Sequence, residues 1–188
     1  MEPILGSLRS DEGTGAVRME DRLDSSADDV WAALTDPTRL AGWLGEVEGD
    51  LQPGGGFSAR FAASGWTGTG RIEVCEPTSR LLVMTRDAND PGPEFGHAIE
   101  VTLTAGGDGT LIAWEERGMP LEYLAAYGAG IQVHVEDLAS HLGGGGRCDA
   151  TARFAELLPA YEELAEALSQ GRAGSASARA DGQRGASA

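Results

Sequence analysis

The chain of 188 residues carries 30 acidic residues against 14 basic ones, all of them arginine, for a formal charge of −16. That balance, with no basic cluster in the region expected to fold, argues against nucleic acid or an anionic membrane surface as a partner. No run of about 18 apolar residues is present, which argues against membrane insertion, and the N-terminal Glu2, Arg9, Asp11 and Glu12 leave no apolar core for a signal peptide.

Residues 1–14 are polar and Gly-rich and read as a flexible arm. Val17 to Leu23 alternates, with Val17, Met19 and Leu23 on one face; Asp21 falls on that same apolar face. Ser26 is a candidate N-cap with Asp29 three residues on, opening a helix to Thr35 that carries Val30, Trp31 and Leu34. Trp31, as the large aromatic on that helix, is the expected anchor. Asp36-Pro37 breaks the helix, and Thr38 to Leu44 forms a second short one.

From Val47 the period changes to two. Strands are expected over 47–51, 57–61, 67–75, 80–86, 97–104 and 110–116, with a Pro/Gly/Asp-rich loop at 88–96. The tight turn Gly106-Gly107-Asp108-Gly109 makes the last two antiparallel. Then the period becomes helical. Leu121, Leu124, Gly128, Ile131, Val135, Leu138 and Leu142 recur at spacings of three and four, with Glu122, Gln132, Glu136 and Asp137 on the opposite side. Pro120 precedes this stretch and Gly143 follows it. Gly128 and Gly130 each cost about 1 kcal/mol relative to Ala inside a helix, so each needs a reason, either close approach to the sheet or room for something beneath. After a Gly143–Gly146 joint, a further amphipathic helix over 150–168 holds Pro159, a place for a kink or a fresh start. Residues 170–188, rich in Gly, Ser, Ala and Arg, read as a disordered tail, leaving one α+β domain over 15–169 with about seven antiparallel strands around the long helix.

Certain segments resemble a known family. They are Val30-Trp31-Ala32-Ala33-Leu34-Thr35-Asp36-Pro37 with Trp43-Leu44-Gly45, Asp50-Leu51-Gln52-Pro53-Gly54-Gly55, Gly109-Thr110, and Gly130 to Leu138. Their order resembles the helix-grip fold of the START-like (SRPBCC) superfamily, in the branch named for the activator of Hsp90 ATPase. Trp more usually stands in that family where this chain has Ile131. The resemblance covers roughly residues 17–168 and implies a mostly apolar cavity between sheet and helix for small lipophilic molecules. It does not by itself imply a reaction.

No nucleotide-binding loop, metal-ligand spacing or Gly-x-Ser-x-Gly is found; no cofactor, metal or catalytic residue is expected. Cys75 and Cys148 share no ligand spacing and read as reduced thiols of a cytoplasmic protein. Asp21, His97, Glu116 and His134 fall on inward faces, where the bland alternative is a polar tip that reaches water. The resemblance also places a polar group often at the position of Glu116. The expected ligand surface comprises His97, Ile99, Val101, Ile112, Trp114 and Glu116 on the last two strands. Gly128 and Ile131 on the helix and Trp66 over the mouth complete it. A small-molecule binding domain, carrier or sensor, is favoured. A cyclase- or hydratase-like enzyme using His97 and Glu116, and a chaperone-modulating or homodimeric interaction module, are the alternatives.

Overall fold

In a computed structural model, residues 4–11, 13–89 and 95–184 are described; positions 90–94 of the expected loop and 185–188 of the expected tail lie outside them. Eight antiparallel strands form one sheet in the order β1-β2-β8-β7-β6-β5-β4-β3. They are β1 (Gly6–Asp11), β2 (Thr14–Leu23), β3 (Gly45–Gly49), β4 (Gly56–Phe61), β5 (Thr67–Glu76), β6 (Arg80–Asp87), β7 (His97–Gly106) and β8 (Gly109–Met119). Seven match the alternating stretches of the sequence. The eighth, β1, replaces the expected flexible arm: it pairs with β2 from Gly6 opposite Met19 to Asp11 opposite Thr14. Its alternation is hidden because, as an edge strand, it contributes little beyond Leu8 to the core.

Two short helices follow β2. Ser26 caps α1 (Ala27–Thr35), its hydroxyl accepting from the Asp29 N–H at 3.2 Å, and Asp36 caps α2 (Pro37–Trp43) by accepting from the N–H groups of Thr38 and Arg39. The anchor of this pair is Trp43, not Trp31. Trp43 is fully buried, donates its indole N–H to the Ala33 carbonyl at 3.0 Å, and sits edge-on to Trp114 with ring centres 6.2 Å apart. Trp31 is only half-buried at the margin of the core. Both tryptophans lie on apolar helix positions, so sequence spacing could not rank them.

The long helix enters through a 3-10 turn at Leu121–Tyr123 and runs as α3 (Leu124–Leu142). Leu124, Ile131, Val135 and Leu138 share one buried core with the inner sheet residues Val17, Met19, Val101 and Trp114, α3 lying closest, among the strands, to β2 and β1. Its left-handed terminator is Gly144, with φ of 81°, one residue beyond Gly143. The polar side of α3 is not a solvent face. α4 (Ala150–Arg184) folds back over it, so that Gln132 and Asp137 are 0% and 1% exposed. Tyr161 of α4, itself fully buried, donates its hydroxyl to Gln132 Oε1 at 2.6 Å, and Arg153 holds Glu136 with two bonds of 2.8 Å. Gly128 belongs to this contact: a Cβ there would run into the Tyr161 ring. It therefore leaves room for α4, not for a ligand beneath the helix.

The backbone of α4 continues through Pro159 and past Gln170, further than composition predicts. Among the described residues no helix is long and apolar enough to cross a membrane.

Two stability outcomes follow. Trp43→Ala is expected to cost about 3–5 kcal/mol by denaturant titration, and Trp31→Ala clearly less, because only the first empties a closed site and orphans a carbonyl. Truncation after Gly171 is expected to leave the melting temperature unchanged, since the 172–188 segment offers no side chain larger and more apolar than Ala to bury.

Candidate functional site

The sheet and α3 do not meet along their whole length. Between them lies a cavity of about 530 Å³. Thr85 of β6, His97 and Ile99 of β7 and Glu116 of β8 form one wall, and Tyr127, Gly130, Ile131 and His134 of α3 form the other. Phe61 and Trp66, from β4 and the turn after it, and Phe154 of α4 close the margins. A smaller apolar pocket of about 80 Å³ adjoins it, sharing Phe61, Thr85 and Ile99 and reaching toward α1 and α2 past Val101, Trp43 and Trp114.

Strand register brings the two ionisable sheet residues to one place. Ile99 stands directly opposite Glu116 in the antiparallel β7–β8 pair. Directly paired residues share a face, and so does the residue two positions along, so His97 is the diagonal neighbour of Glu116. His97 meets the Tyr127 ring edge-on, with centres 6.0 Å apart.

Glu116 is half-buried, its remaining exposure opening on the cavity, and its carboxylate accepts from the Trp114 indole N–H at 2.9 Å. Burial pushes its carboxyl up to about 7, against the lowering effect of that bond. His134 is 7% exposed, edge-on to Phe61 with ring centres 5.5 Å apart, and its Nδ1 has no hydrogen-bond partner. Burial pushes the imidazole down to about 4, although Asp137 one turn away pulls the other way. At neutral pH, therefore, His134 is uncharged and Glu116 is divided between acid and carboxylate.

Of the expected ligand surface, His97, Ile99, Glu116, Trp66 and Ile131 line the larger cavity, while Val101 and Trp114 line the smaller pocket. Ile112, 2% exposed, is packed core and lines neither. Gly128 faces α4. The glycine that does open space is Gly130, where an added Cβ would meet nothing within 4 Å. Asp21 follows the bland alternative, its Oδ1 accepting from the neighbouring Arg22 N–H at 2.8 Å. His134 does not, being 7% exposed with its Nδ1 buried.

Sequence reading missed Phe61, Thr85, Tyr127 and Phe154. Tyr123, Tyr127, Gly130 and His134 do recur at helical spacings, a second stripe masked by the stronger Leu/Ile/Val one. Phe154 carried no such signal, because the return of α4 is a long-range event. Among the described residues no group of three or more His, Cys, Asp or Glu is arranged to hold a metal ion.

An open antiparallel sheet curled against a long helix, with a cavity between them, is the helix-grip architecture of the START-like superfamily. The family model described as activator of Hsp90 ATPase homolog 1-like protein matches residues 24–143, and the chain belongs to that family. Among solved structures it is similar to CalU16 from Micromonospora echinospora, at 26% identity and a TM-score of 0.67 over 86% of this chain and 96% of CalU16. It is also similar to DynU16, a protein in the dynemicin biosynthetic locus. There the identity is 30% and the TM-score 0.63, over 71% of this chain and 50% of DynU16. The Aha1 dimer from Colwellia psychrerythraea shares the fold at 16% identity and a TM-score of 0.59, over 68% of this chain and 95% of that one. No curated protein matches the sequence.

The two perturbed groups make opposite demands on stability. Between pH 4.5 and about 7 the folded protein holds a proton on Glu116 that the unfolded chain releases, so this group's contribution is lost as pH rises. Between 6.5 and about 4 the unfolded chain protonates His134 and the folded protein does not, so that contribution is lost as pH falls. In their overlap the slopes offset each other. Glu116→Gln is expected to make the protein acid-sensitive between pH 6.5 and 5, and His134→Gln to make it lose stability from pH 5 to 7. Each change should be on the order of 2 kcal/mol in denaturant titrations, discounted for contact with the cavity. Parallel pH profiles for both variants and the wild type would show that neither group is perturbed.

Proposed function

We propose that the protein binds a lipophilic small molecule in the cavity between β7–β8 and α3, as a carrier or sensor. The observation that carries this reading is the cavity itself. Its volume of about 530 Å³ falls within the ordinary range of small-molecule sites, and it has aromatic walls and few polar groups. Similarity to DynU16, a protein in a biosynthetic locus, supports a small-molecule role. The two free cysteines, Cys75 and Cys148, fit the expected cytoplasmic setting. Partial desolvation and the neighbouring Asp137 push the exposed Cys148 thiol up to about 11.

An interaction module finds less support. Among the described residues the exposed large apolar side chains, Leu111, Tyr123 and Leu164, sit on separate elements. One observation favours a second reading, general acid–base catalysis on the bound molecule: a Glu116 carboxyl near 7 is suited to both giving and taking a proton. Turnover of the bound molecule that disappears in Glu116→Gln while binding persists would establish it.

The test of binding uses the two helix glycines against each other. Gly130→Leu fills the cavity and is expected to reduce uptake of N-phenyl-1-naphthylamine by about tenfold or more, with circular dichroism and melting temperature retained. Gly128→Leu drives a side chain into Tyr161 and is expected to destabilise the fold by about 1–3 kcal/mol. A wild type that never takes up such probes would overturn the reading.

A further inference from the structure

We propose that the larger cavity and the apolar pocket beside it form one site, fitted to a ring system that carries a short unbranched alkyl arm. The rings occupy the cavity and the arm the pocket; this rests on, and deepens, the reading of the cavity as a lipophilic ligand site. The first observation that carries it is size. A cavity of roughly 150 Å³ holds a benzene ring, and a water-sized group occupies roughly 30 Å³. The cavity of about 530 Å³ therefore admits fused rings, whereas the pocket of about 80 Å³ admits no ring and about three carbons in line. The two adjoin along Phe61, Thr85 and Ile99, which line both, so an arm leaving the cavity there enters the pocket.

The second observation is the way polarity changes along the sheet. Directly paired residues share a face, and the inner face of β6, β7 and β8 alters rung by rung. Thr85 stands opposite His97; the next rung holds Val83, Ile99 and Glu116, and the one after it Leu81, Val101 and Trp114. The sheet groups able to bond a polar substituent, Thr85, His97 and Glu116, thus all line the cavity, and only Thr85, at the junction, also touches the pocket. The third is that the other polar side-chain atoms around the pocket are already committed. Trp43 donates to the Ala33 carbonyl at 3.0 Å, Trp114 to Glu116 at 2.9 Å, and the Thr35 hydroxyl to the Trp31 carbonyl at 2.8 Å. Past Thr85 a ligand meets side chains that ask for no hydrogen bond. Water gains nothing in such a space, while a chain of carbons supplies the dispersion contacts its lining lacks.

Displacement of N-phenyl-1-naphthylamine from the full chain by 2-methyl-, 2-propyl-, 2-pentyl- and 2-tert-butylnaphthalene tests this. A buried methylene is worth about fourfold in affinity, so the propyl compound is expected to bind about fifteenfold more tightly than the methyl one. The pentyl compound is expected to gain about threefold or less over propyl, and the branched tert-butyl compound to gain nothing over methyl. Val83 lines the pocket and not the cavity, and Val83→Phe is expected to cut the propyl preference to about threefold or less. Leu81, likewise confined to the pocket, should do the opposite: Leu81→Ala is expected to carry the rise on to the pentyl compound. A propyl preference that Val83→Phe leaves intact overturns the inference and leaves the lipophilic site standing. So does a wild-type affinity that climbs evenly through the pentyl and tert-butyl compounds. Failure of the probe itself to bind overturns both readings. Should Val83→Phe not fold, Leu81→Ala decides alone, an unmoved length limit overturning the inference.

Discussion

The structure depends on how one helix is enclosed. α3 is covered on its sheet side by the inner strands and on its outer side by α4, so a glutamine in its middle has no route to water. Gln132 is satisfied from three directions. Its Oε1 accepts from the Tyr161 hydroxyl at 2.6 Å and from the Leu5 N–H at 3.2 Å, and its Nε2 donates to Glu136 at 2.8 Å. Burial raises the Glu136 carboxyl, but the bonds from Arg153 and Gln132 outweigh it and hold the group below its ordinary value. This one side chain thus joins the chain start, α3 and α4, and a missing partner would leave a fully buried amide unsatisfied. Gly128 lets the Tyr161 ring come close enough to complete the set. Held from outside in this way, α3 need not settle onto the sheet to be buried. The cavity beneath it survives although empty space in a protein interior is ordinarily unfavourable.

What the sequence disclosed and what it hid divide along the same line. The strands from β2 to β8, both short helices and the long helix announce themselves through local periodicity and capping residues, and Ser26 caps where its spacing to Asp29 says it should. Local pattern could not report contacts made by segments remote in the chain. β1 reads as a polar arm until β2 is beside it. Gln132 and Asp137 read as a wet face until α4 covers them. Gly128 and Gly130 are identical letters two positions apart, about 200° around the helix, so one meets Tyr161 and the other opens on empty space. The candidate site was legible in the same measure. Inward position marked His97, Glu116 and His134, whereas Phe154 joined them only through the long-range return of α4.

The outer face of the sheet explains how a chain of charge −16 forms so many side-by-side carboxylates without splaying its strands. Glu100 and Glu115 stand directly opposite one another on β7 and β8, an arrangement that is destabilising if nothing intervenes. Arg117 bridges the two at 2.8 Å each, Arg80 reaches Glu100 at 2.7 Å, and Arg9 and Arg18 reach Glu115 from β1 and β2. Hydrogen bonds from Arg117 and Arg80 hold the Glu100 carboxyl below its ordinary value. The ladder spans five strands, and it commits their arginines to the outside.

That commitment determines the electrostatics within. With Arg80 and Arg117 turned outward, neither reaches the wall that Glu116 shares with His97, and burial shifts the carboxyl toward its neutral form. Burial drives His134, across the cavity, to neutrality from the opposite starting charge. Glu116 and His134 are thus both shifted toward their uncharged forms inside a strongly acidic protein, which would leave hydrogen bonding and shape to govern what the proposed site accepts. Discrimination of that kind is steep: a site whose enclosed polar groups need partners rejects an analogue lacking them far more strongly than an apolar wall rejects an extra methylene. The same arginines that tie Glu100 and Glu115 together outside are thereby kept from the wall that Glu116 shares with His97.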